Sequence, residues 1–469
     1  MVFSSFEFLF YYLPVTLLVY YLLPARFRNP VLFFFSILFY GWGEPVYVLL
    51  MLATLAADWF FGWLCGKYRE SDPKKARLWL ILSCVFNLGI LGFFKYWNFL
   101  AGNLSALFGR ELLPELNIEL PIGISFYTFQ AMSYVIDVYR GDVGYQKNPV
   151  TFGTYVALFP QLIAGPVVRY KDVEEQLRLR THSFNKFASG IRRFVCGLAK
   201  KVILADMAGN AWRSIAAVPD AERGAALAWL GILFYTFQIY FDFSAYSDMA
   251  IGLGRMIGFE FCENFNYPYI ADSITDFWRR WHISLSTWFR DYVYIPLGGN
   301  RVGHARHIFN LLCVWLLTGL WHGADWCFLL WGLYYGVILI LEKYVWGNAL
   351  KRTPAVFRHV YALALILFGW FIFVSPDLGE YGASPLAYAA SLFSGSSPLA
   401  AYEVLRSIVL LMLLGIAATP YPARLRRRFL DRTGRPGQVL DFVLLACGLL
   451  LSFAFIAASD YSPFLYTRF

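Results

Sequence analysis

Two histidines stand in unusually apolar surroundings for ionisable side chains. His282 lies in the string FWRRWHISLS, and His322 lies in TGLWHGADW, at the junction of two apolar runs. Because an ionisable group at membrane depth is costly to bury, both are candidate functional residues, and Thr318 and Asp325 are close enough in sequence to orient the His322 ring. Each histidine could equally be a core residue hydrogen-bonded to a neighbour, and both interpretations stay open.

The stretch around His282 mixes aromatic and cationic side chains. These are Arg279, Arg280, Trp281, Trp288 and Arg290. One interpretation is an interfacial anchor, because tryptophan and arginine are common where a protein meets the membrane surface. The other is an entrance for an anionic donor such as a coenzyme A thioester, whose phosphates would pair with guanidinium groups. On the second interpretation, these five residues bind the donor.

Two imidazoles in a water-poor site suit acyl transfer from a thioester to an alcohol. This reaction needs a base for the hydroxyl proton, a group that stabilises the tetrahedral oxyanion, and the exclusion of water. An imidazole can serve as the base, and a second imidazole or an indole N–H can stabilise the oxyanion. The acids Asp242 and Asp248 lie in an apolar run, so we expect them to face the protein interior and to pair with arginine or cap broken helices.

The other candidate ligands do not form a metal-binding pattern. His304 and His307 have no carboxylate or cysteine nearby, and the seven cysteines are scattered without a C-x-x-C pair. We expect these two histidines, like His182 and His359, to be solvated, because they fall in polar loops or at the edges of apolar runs. No metal is predicted.

The composition places these residues in a membrane. Of 469 residues, 59% are hydrophobic and 15% are charged, and the mean hydropathy is +0.52. A crossing needs about 20 mainly apolar residues, and long unbroken apolar runs exclude a barrel. The sequence therefore predicts an all-α polytopic fold and one membrane-embedded domain over 1–469. Its 11–12 candidate spans are roughly 6–23, 30–42, 46–66, 78–98, 120–138, 191–212, 225–252, 308–320, 324–344, 359–375, 404–419 and 438–458.

One apolar segment is too short to cross. Thr151 to Ala164 has about 14 residues and is followed by Gly165 and Pro166, which predicts a re-entrant or half-length helix. Irregular backbone at membrane depth must line water or be covered by protein. The segment therefore points to a cavity inside the membrane domain.

The distribution of charge predicts the orientation. The net charge of +9 is gathered in alternate loops, which argues against nucleic acid as a partner. Basic residues are concentrated at Arg26 and Arg28 and in the segments 67–77, 169–186, 279–306 and 424–435. The segments 43–45 and 375–400 contain no lysine or arginine. By the positive-inside rule the basic segments are cytoplasmic, which puts the N-terminus and the C-terminal 461–469 outside.

Several long strings resemble the membrane-bound O-acyltransferase (MBOAT) family, especially its members that acetylate exported bacterial polysaccharides such as alginate. They include LPIGISFYTFQAMSYVIDVYRGD, FPQLIAGPVVRYKD, YFDFSAYSDMAIGLG, ENFNYPYI, FWRRWHISLSTWFRDYVYIPLGGNR and GLWHGADW. The likeness covers nearly the whole chain and is weaker between about 350 and 439.

The resemblance implies a funnel-shaped helical fold of the inner membrane with a central tunnel. It implies a catalytic histidine at His322 and a second polar position at His282. It also implies acetyl coenzyme A as the cytoplasmic donor, and a periplasmic acetyltransferase or acetyl-relay protein that serves an exported polysaccharide. The alternatives are a transporter or a scaffold of a polysaccharide secretion complex, with no transfer chemistry of its own.

Overall fold

The computed structural model describes residues 1–395, 397–458 and 464–465. Most of the predicted external C-terminal segment, 461–469, lies outside the described residues. Throughout the described residues the regular structure is helical, without a strand, which confirms the all-α fold class. The chain folds into two compact units. The single domain predicted for 1–469 stays a prediction.

Unit 1 comprises Met1–Phe194 and Tyr246–Cys262. Its helices are α1 (Leu13–Leu22), α2 (Arg28–Gly43), α3 (Tyr47–Tyr68), α4 (Pro73–Leu91), α5 (Trp97–Phe108), α6 (Ile124–Arg140), α7 (Pro149–Ala157) and α8 (Tyr170–Arg178). The helix α9 (Phe184–Ala199) begins in unit 1 and continues into unit 2.

Unit 2 comprises Val195–Ala245 and Glu263–Leu465. Its helices are α10 (Asp206–Ala216), α11 (Asp220–Met256), α12 (Ile274–Arg280), α13 (Ile283–Phe289), α14 (His304–His322), α15 (Trp326–Tyr344), α16 (Gly347–Arg352), α17 (Ala355–Val374), α18 (Pro385–Ser391), α19 (Pro398–Ala417), α20 (Tyr421–Thr433) and α21 (Arg435–Ala458). The last turns of α11 belong to unit 1.

The predicted half-length helix is present in unit 1. Helix α7 ends at Ala157, and the chain then runs without regular helix to Tyr170. Every residue from 158 to 168 is buried. Protein atoms therefore cover this irregular backbone, as its depth in a membrane requires.

Seven helices of the described chain are long and apolar enough to cross a membrane. They are Tyr47–Tyr68, Pro73–Phe108, Asp220–Met256, Trp326–Tyr344, Ala355–Tyr381, Pro398–Ala417 and Arg435–Ala458. The second joins α4 to α5 through a π-helical turn, and the fifth extends α17 by a 3-10 helix. Other predicted spans are helical but shorter, such as Glu7–Leu22, or more polar, such as α14. The structure is thus a polytopic membrane fold that combines full-length and half-length helices.

The two interior acids are paired, each within one unit. In unit 1, Arg193 lies 2.7 Å from Asp248, which is the arginine pairing expected. In unit 2, the partner of Asp242 is Lys201, also at 2.7 Å, and both side chains are buried. A buried carboxylate needs a cation or several donors, and both acids satisfy this requirement.

Candidate active site

His282 and His322 line the same cavity, which lies within unit 2 and has a volume of about 250 Å³. Both side chains are buried, with exposed fractions of 2% and 4%. Three of the five predicted donor-binding residues, Arg279, Trp281 and Arg290, also line it. The structure therefore brings together two imidazoles and two guanidinium groups that the chain carries on separate elements.

Close packing of α14 against α15 places His322. A Cβ atom on Gly319 would overlap the carbonyl oxygen of Phe328, and one on Gly332 would overlap that of Trp315. Glycine at both positions lets the two backbones approach closely, as small residues do in membrane helix pairs. Because α14 ends at His322, this contact fixes the imidazole against α15.

Aromatic rings surround the His322 imidazole. Its centroid lies 5.0 Å from Trp321, 5.0 Å from Trp331 and 5.2 Å from Phe373, each nearly edge to face. The expected orienting residues act elsewhere: the Thr318 hydroxyl donates to Val314 O at 2.8 Å, and Asp325 caps α15 by accepting from Cys327 N at 2.7 Å. The ring is thus buried and packed against aromatic side chains.

His282 is held by a different device, a turn with left-handed backbone. Its φ of 44° and ψ of 53° are unfavourable for a residue with a side chain. Asn264 stabilises the turn: its Oδ1 lies 3.1 Å from His282 Nδ1 and accepts from Ser284 N and Oγ at 3.2 and 2.9 Å. Its carbonyl oxygen also accepts from Ile283 N at 3.0 Å. Strain of this kind persists where the surroundings impose it, often at functional sites.

These contacts define the protonation of His282. Since Asn264 Oδ1 accepts both Ser284 bonds, it is an oxygen, and His282 Nδ1 must carry the proton that it receives. The unprotonated nitrogen is then Nε2. His282 lies outside the seven long apolar helices, and burial lowers its pKa from 6.5 to about 3. The imidazole is therefore neutral near pH 7.

Helix α12, which brings Trp278 and Arg279 to the cavity, is fixed by a buried acid. Glu342 in α15 accepts from Ile274 N at 2.7 Å and from Thr275 N at 2.8 Å, so its carboxylate caps the start of α12. The Trp278 indole nitrogen is buried, with no hydrogen-bond partner among the described residues. Trp278 thus lines the cavity, and among the described residues its indole N–H has no acceptor.

The cationic residues near the cavity differ in their partners. In the described part of the chain, Arg279 is exposed and forms no ion pair, whereas Arg290 Nε lies 2.7 Å from Asp291. Arg280 pairs with Asp276 at 2.9 Å and does not line the cavity. Trp288 is buried against Phe289 and Tyr292 and does not line it either. Arg279 is the cation best placed to meet an anionic ligand.

The expectation that His307 is solvated was wrong. The side chain is 2% exposed and lies between two tyrosine hydroxyls, with Nε2 2.8 Å from Tyr294 and Nδ1 2.6 Å from Tyr344. Tyr344 ends α15, far along the chain, so the contact was invisible in the local sequence. His304, in contrast, is exposed as expected.

Sequence reasoning missed three supporting positions. Asn264 stabilises the turn at His282, and Glu342 caps α12 beside the cavity. Gly332 lets α14 pack closely against α15. Two of them carried a signal: Glu342 is an acid at the end of an apolar run, and Gly332 forms a G-x-x-x-G step with Gly336. Asn264 stands in a polar loop, where an asparagine is ordinary.

No group of three His, Cys, Asp or Glu side chains in residues 1–395, 397–458 and 464–465 is arranged to hold a metal ion. The polar groups that line the cavity are imidazole, indole, hydroxyl and guanidinium. These can accept a proton, donate hydrogen bonds and attract an anion.

Comparison with known proteins gives a consistent result. The model of the family described as "MBOAT, membrane-bound O-acyltransferase family" matches residues 142–378. The chain is 42% identical to the "Probable alginate O-acetylase AlgI" of Azotobacter vinelandii over the full length of both proteins. It is 47% identical to the protein of that name from Pseudomonas aeruginosa, over 81% of this chain and 73% of the relative. It is 34% identical to the "Peptidoglycan O-acetyltransferase" of Helicobacter pylori, over 81% of this chain and 78% of the relative.

Proposed function

The chain belongs to the membrane-bound O-acyltransferase family, and from this premise we propose that it takes an acetyl group from acetyl coenzyme A at the cytoplasmic face and passes it across the membrane for O-acetylation of an exported polysaccharide. That the protein is an O-acyltransferase follows from its family and relatives. What we propose is the identity of the acetyl donor, the direction in which the acetyl group crosses the membrane, and the class of acceptor.

One observation carries the proposal: two buried imidazoles line a single cavity whose wall also holds the exposed cation Arg279. A core histidine with a purely structural role would need neither the shared cavity nor the cation. His322, set among indole and phenyl rings, is the proposed base, and His282 is the proposed neutral polar partner.

The proposed reaction is a balanced acyl transfer. The His322 imidazole accepts the proton of the acceptor hydroxyl while the oxygen attacks the thioester carbonyl carbon. The tetrahedral oxyanion needs a hydrogen-bond donor, and the donor that we propose is the indole N–H of Trp278, a residue that lines the cavity. The C–S bond then breaks, and the departing thiolate takes the proton from the imidazolium. The aromatic wall keeps out the water that would otherwise hydrolyse the thioester.

The cavity fits the reactive end of such a donor better than the whole molecule. About 250 Å³ accommodates an acetyl thioester with part of its arm, while the phosphates must lie outside. Arg279, exposed at the wall, would then meet the phosphates, with Arg290 as a second cation. Arg280 and Trp288 do not line the cavity. If they bind the donor, they contact a part of it that lies away from the thioester.

The relatives and the charge pattern support the proposed acceptor and location. Relatives named for alginate and peptidoglycan acetylation favour an exported glycan, reached through a periplasmic acetyltransferase or acetyl-relay protein. The inner membrane, with both termini periplasmic, is the orientation in which the basic segments face the cytosol. Coenzyme A is too charged to cross lipid, so only the acetyl group would pass.

Reconstitution tests the proposal. Purified protein in vesicles receives acetyl-labelled acetyl coenzyme A on the cytoplasmic side, with the periplasmic partner and glycan on the other side. We expect release of free coenzyme A and transfer of label to the glycan, both lost in His322→Ala. A transporter or scaffold would instead leave the thioester intact. Unchanged release of coenzyme A and unchanged labelling of the glycan in His322→Ala would contradict the role of this residue.

A further inference from the structure

A cationic cluster in unit 1 takes no part in the proposed acyl transfer. It is formed by Arg28 at the start of α2, by Arg180 and His182 after α8, and by the ring of Tyr20. The Arg28 guanidinium carbon lies 5.7 Å from the centroid of the Tyr20 ring, and that of Arg180 lies 5.9 Å from it. The fold thus holds two positive charges against one tyrosine.

A chain of hydrogen bonds keeps His182 neutral beside Arg28 and Arg180. Tyr20 donates its hydroxyl proton to Ile257 O at 2.8 Å, so its oxygen accepts from His182 Nε2 at 2.9 Å. His182 Nδ1 is then free of a proton and accepts from Arg28 Nη1 at 3.3 Å. Burial, Arg28 and Arg180 lower the pKa of His182. The histidine therefore adds no charge, and it orients Arg28.

Close contacts join the backbone segments that carry the cationic cluster. Asn29, next to Arg28, donates to Leu177 O at 2.9 Å and so joins the start of α2 to α8. Gly258, with a φ of 90°, approaches so closely that a Cβ there would lie 2.9 Å from His182 Nε2. Arg180 also lies 4.6 Å from the Phe259 ring.

Neither guanidinium has a carboxylate partner in the described part of the chain. The nearby acid Glu260 pairs with Lys186 at 3.1 Å instead. Arg28 Nε and Arg180 Nη1 are buried, with no hydrogen-bond partner among the described residues. Like charges held together without a counter-charge are costly, and helix α2 adds the positive end of its dipole, with no side-chain cap at Phe27. The cluster therefore has the charge to attract an anion.

Apolar side chains close in sequence to the cationic cluster indicate the kind of anion. Leu179, immediately before Arg180, is 85% exposed, and Phe184, two residues after His182, is 84% exposed. Leu22, at the end of α1, is 72% exposed. Cations next to exposed apolar groups, in two segments predicted to be cytoplasmic, match a phosphate group that is attached to acyl chains.

We propose that Arg28 and Arg180 bind the phosphate group of an anionic phospholipid of the cytoplasmic leaflet. The two guanidinium groups neutralise the phosphate, the α2 N-terminus adds to the attraction, and the exposed leucines and phenylalanine contact the acyl chains. Bound lipid would tie α2 to the segment after α8 in unit 1. This site is separate from the cavity of unit 2 in its residues and in its ligand.

Full-length protein in detergent tests the site. Its thermal unfolding is followed by tryptophan fluorescence during titration with phosphatidylglycerol, phosphatidylcholine or inorganic phosphate at constant ionic strength. We expect phosphatidylglycerol to raise the unfolding midpoint more than phosphatidylcholine. In Arg28→Gln/Arg180→Gln we expect about tenfold weaker binding of phosphatidylglycerol, because charge-assisted hydrogen bonds are lost. Arg26→Gln is the matched control, since Arg26 is exposed and lies over Phe27.

The outcomes separate the sources of phosphate. Stabilisation by inorganic phosphate that depends on both arginines, without preference for phosphatidylglycerol over phosphatidylcholine, would support the phosphate site and assign it to free phosphate. Equal binding of phosphatidylglycerol by the double variant and the wild type would overturn the proposal. Native mass spectrometry of the wild type alone gives a test that does not require a folded variant. Equal retention of the two lipids there, with no stabilisation by phosphate, would also overturn it.

Discussion

The end of α14 and the turn at 282 bring their histidines to one cavity by opposite means. His322 is placed by two close helix backbones and a wall of rings, and the position depends on glycines and aromatic packing. His282 is placed by a strained turn that one side chain, Asn264, ties down with hydrogen bonds. Packing fixes where a ring lies, whereas the hydrogen bond to Nδ1 also fixes its tautomer. The two regions should therefore fail differently when they are altered.

The largest expected effect is on the His322 side. His322→Ala removes the proposed base, and we expect acetyl transfer to fall by about 10²–10⁴-fold, the range for loss of a general base. Because the ring also packs against Trp331 and Phe373, thermal unfolding is followed in parallel to separate a loss of stability from a loss of chemistry. The measurement is label transfer by purified protein. His304→Ala is the control, since His304 is exposed at the start of the same helix. Activity within about threefold of wild type would remove His322 from the chemistry.

Local chemistry made parts of this site predictable. An ionisable residue in an apolar run is visible in the sequence, so both histidines could be singled out. Span length and composition predicted the helical membrane fold and the half-length helix before Gly165, because lipid thickness and backbone hydrogen bonding restrict the choices so strongly.

The rest depended on contacts between distant segments. Nothing near Asn264 indicates that its amide meets His282, and nothing near His307 indicates that Tyr344 will cover it. Asp325 was predicted to orient His322, but its side chain caps α15 instead. Capping is the commoner role of an aspartate that precedes a helix. Arg280 was grouped with Arg279 from sequence, but the turn of α12 directs it to Asp276 instead.

The second expected effect separates anchoring from chemistry on the His282 side. Asn264→Ala keeps both histidines but removes the acceptor that positions His282 Nδ1. We therefore expect acetyl transfer to fall by about tenfold to a hundredfold, the cost of a misplaced catalytic group. Rates from purified protein measure this. Asn266→Ala is the matched control, because Asn266 is exposed two residues away. If both variants had wild-type rates, the anchoring of His282 would not matter for the reaction.

The third expected effect tests the packing that places His322. Gly319→Ala puts a methyl group against the carbonyl oxygen of Phe328, and we expect a loss of about 1–3 kcal/mol in stability together with lower activity. Thermal unfolding in detergent reports the first effect, and label transfer reports the second. Gly415→Ala is the control, because α19 leaves open space around that glycine, and alanine there should be neutral or stabilising. Equal unfolding midpoints for the two variants would argue against close packing of α14 on α15.

The smallest expected effect isolates the backbone of the His282 turn from its ring. His282→Gly and His282→Ala both remove the imidazole, so both should lose its contribution to activity equally. Only alanine keeps the penalty of a left-handed residue, about 1–2 kcal/mol, so the glycine variant should unfold at the higher temperature. At Thr287, inside α13, the order should reverse, because glycine is the poorer helix former. A higher unfolding temperature for His282→Ala than for His282→Gly would mean that the turn is not strained, and that Asn264 only orients the ring.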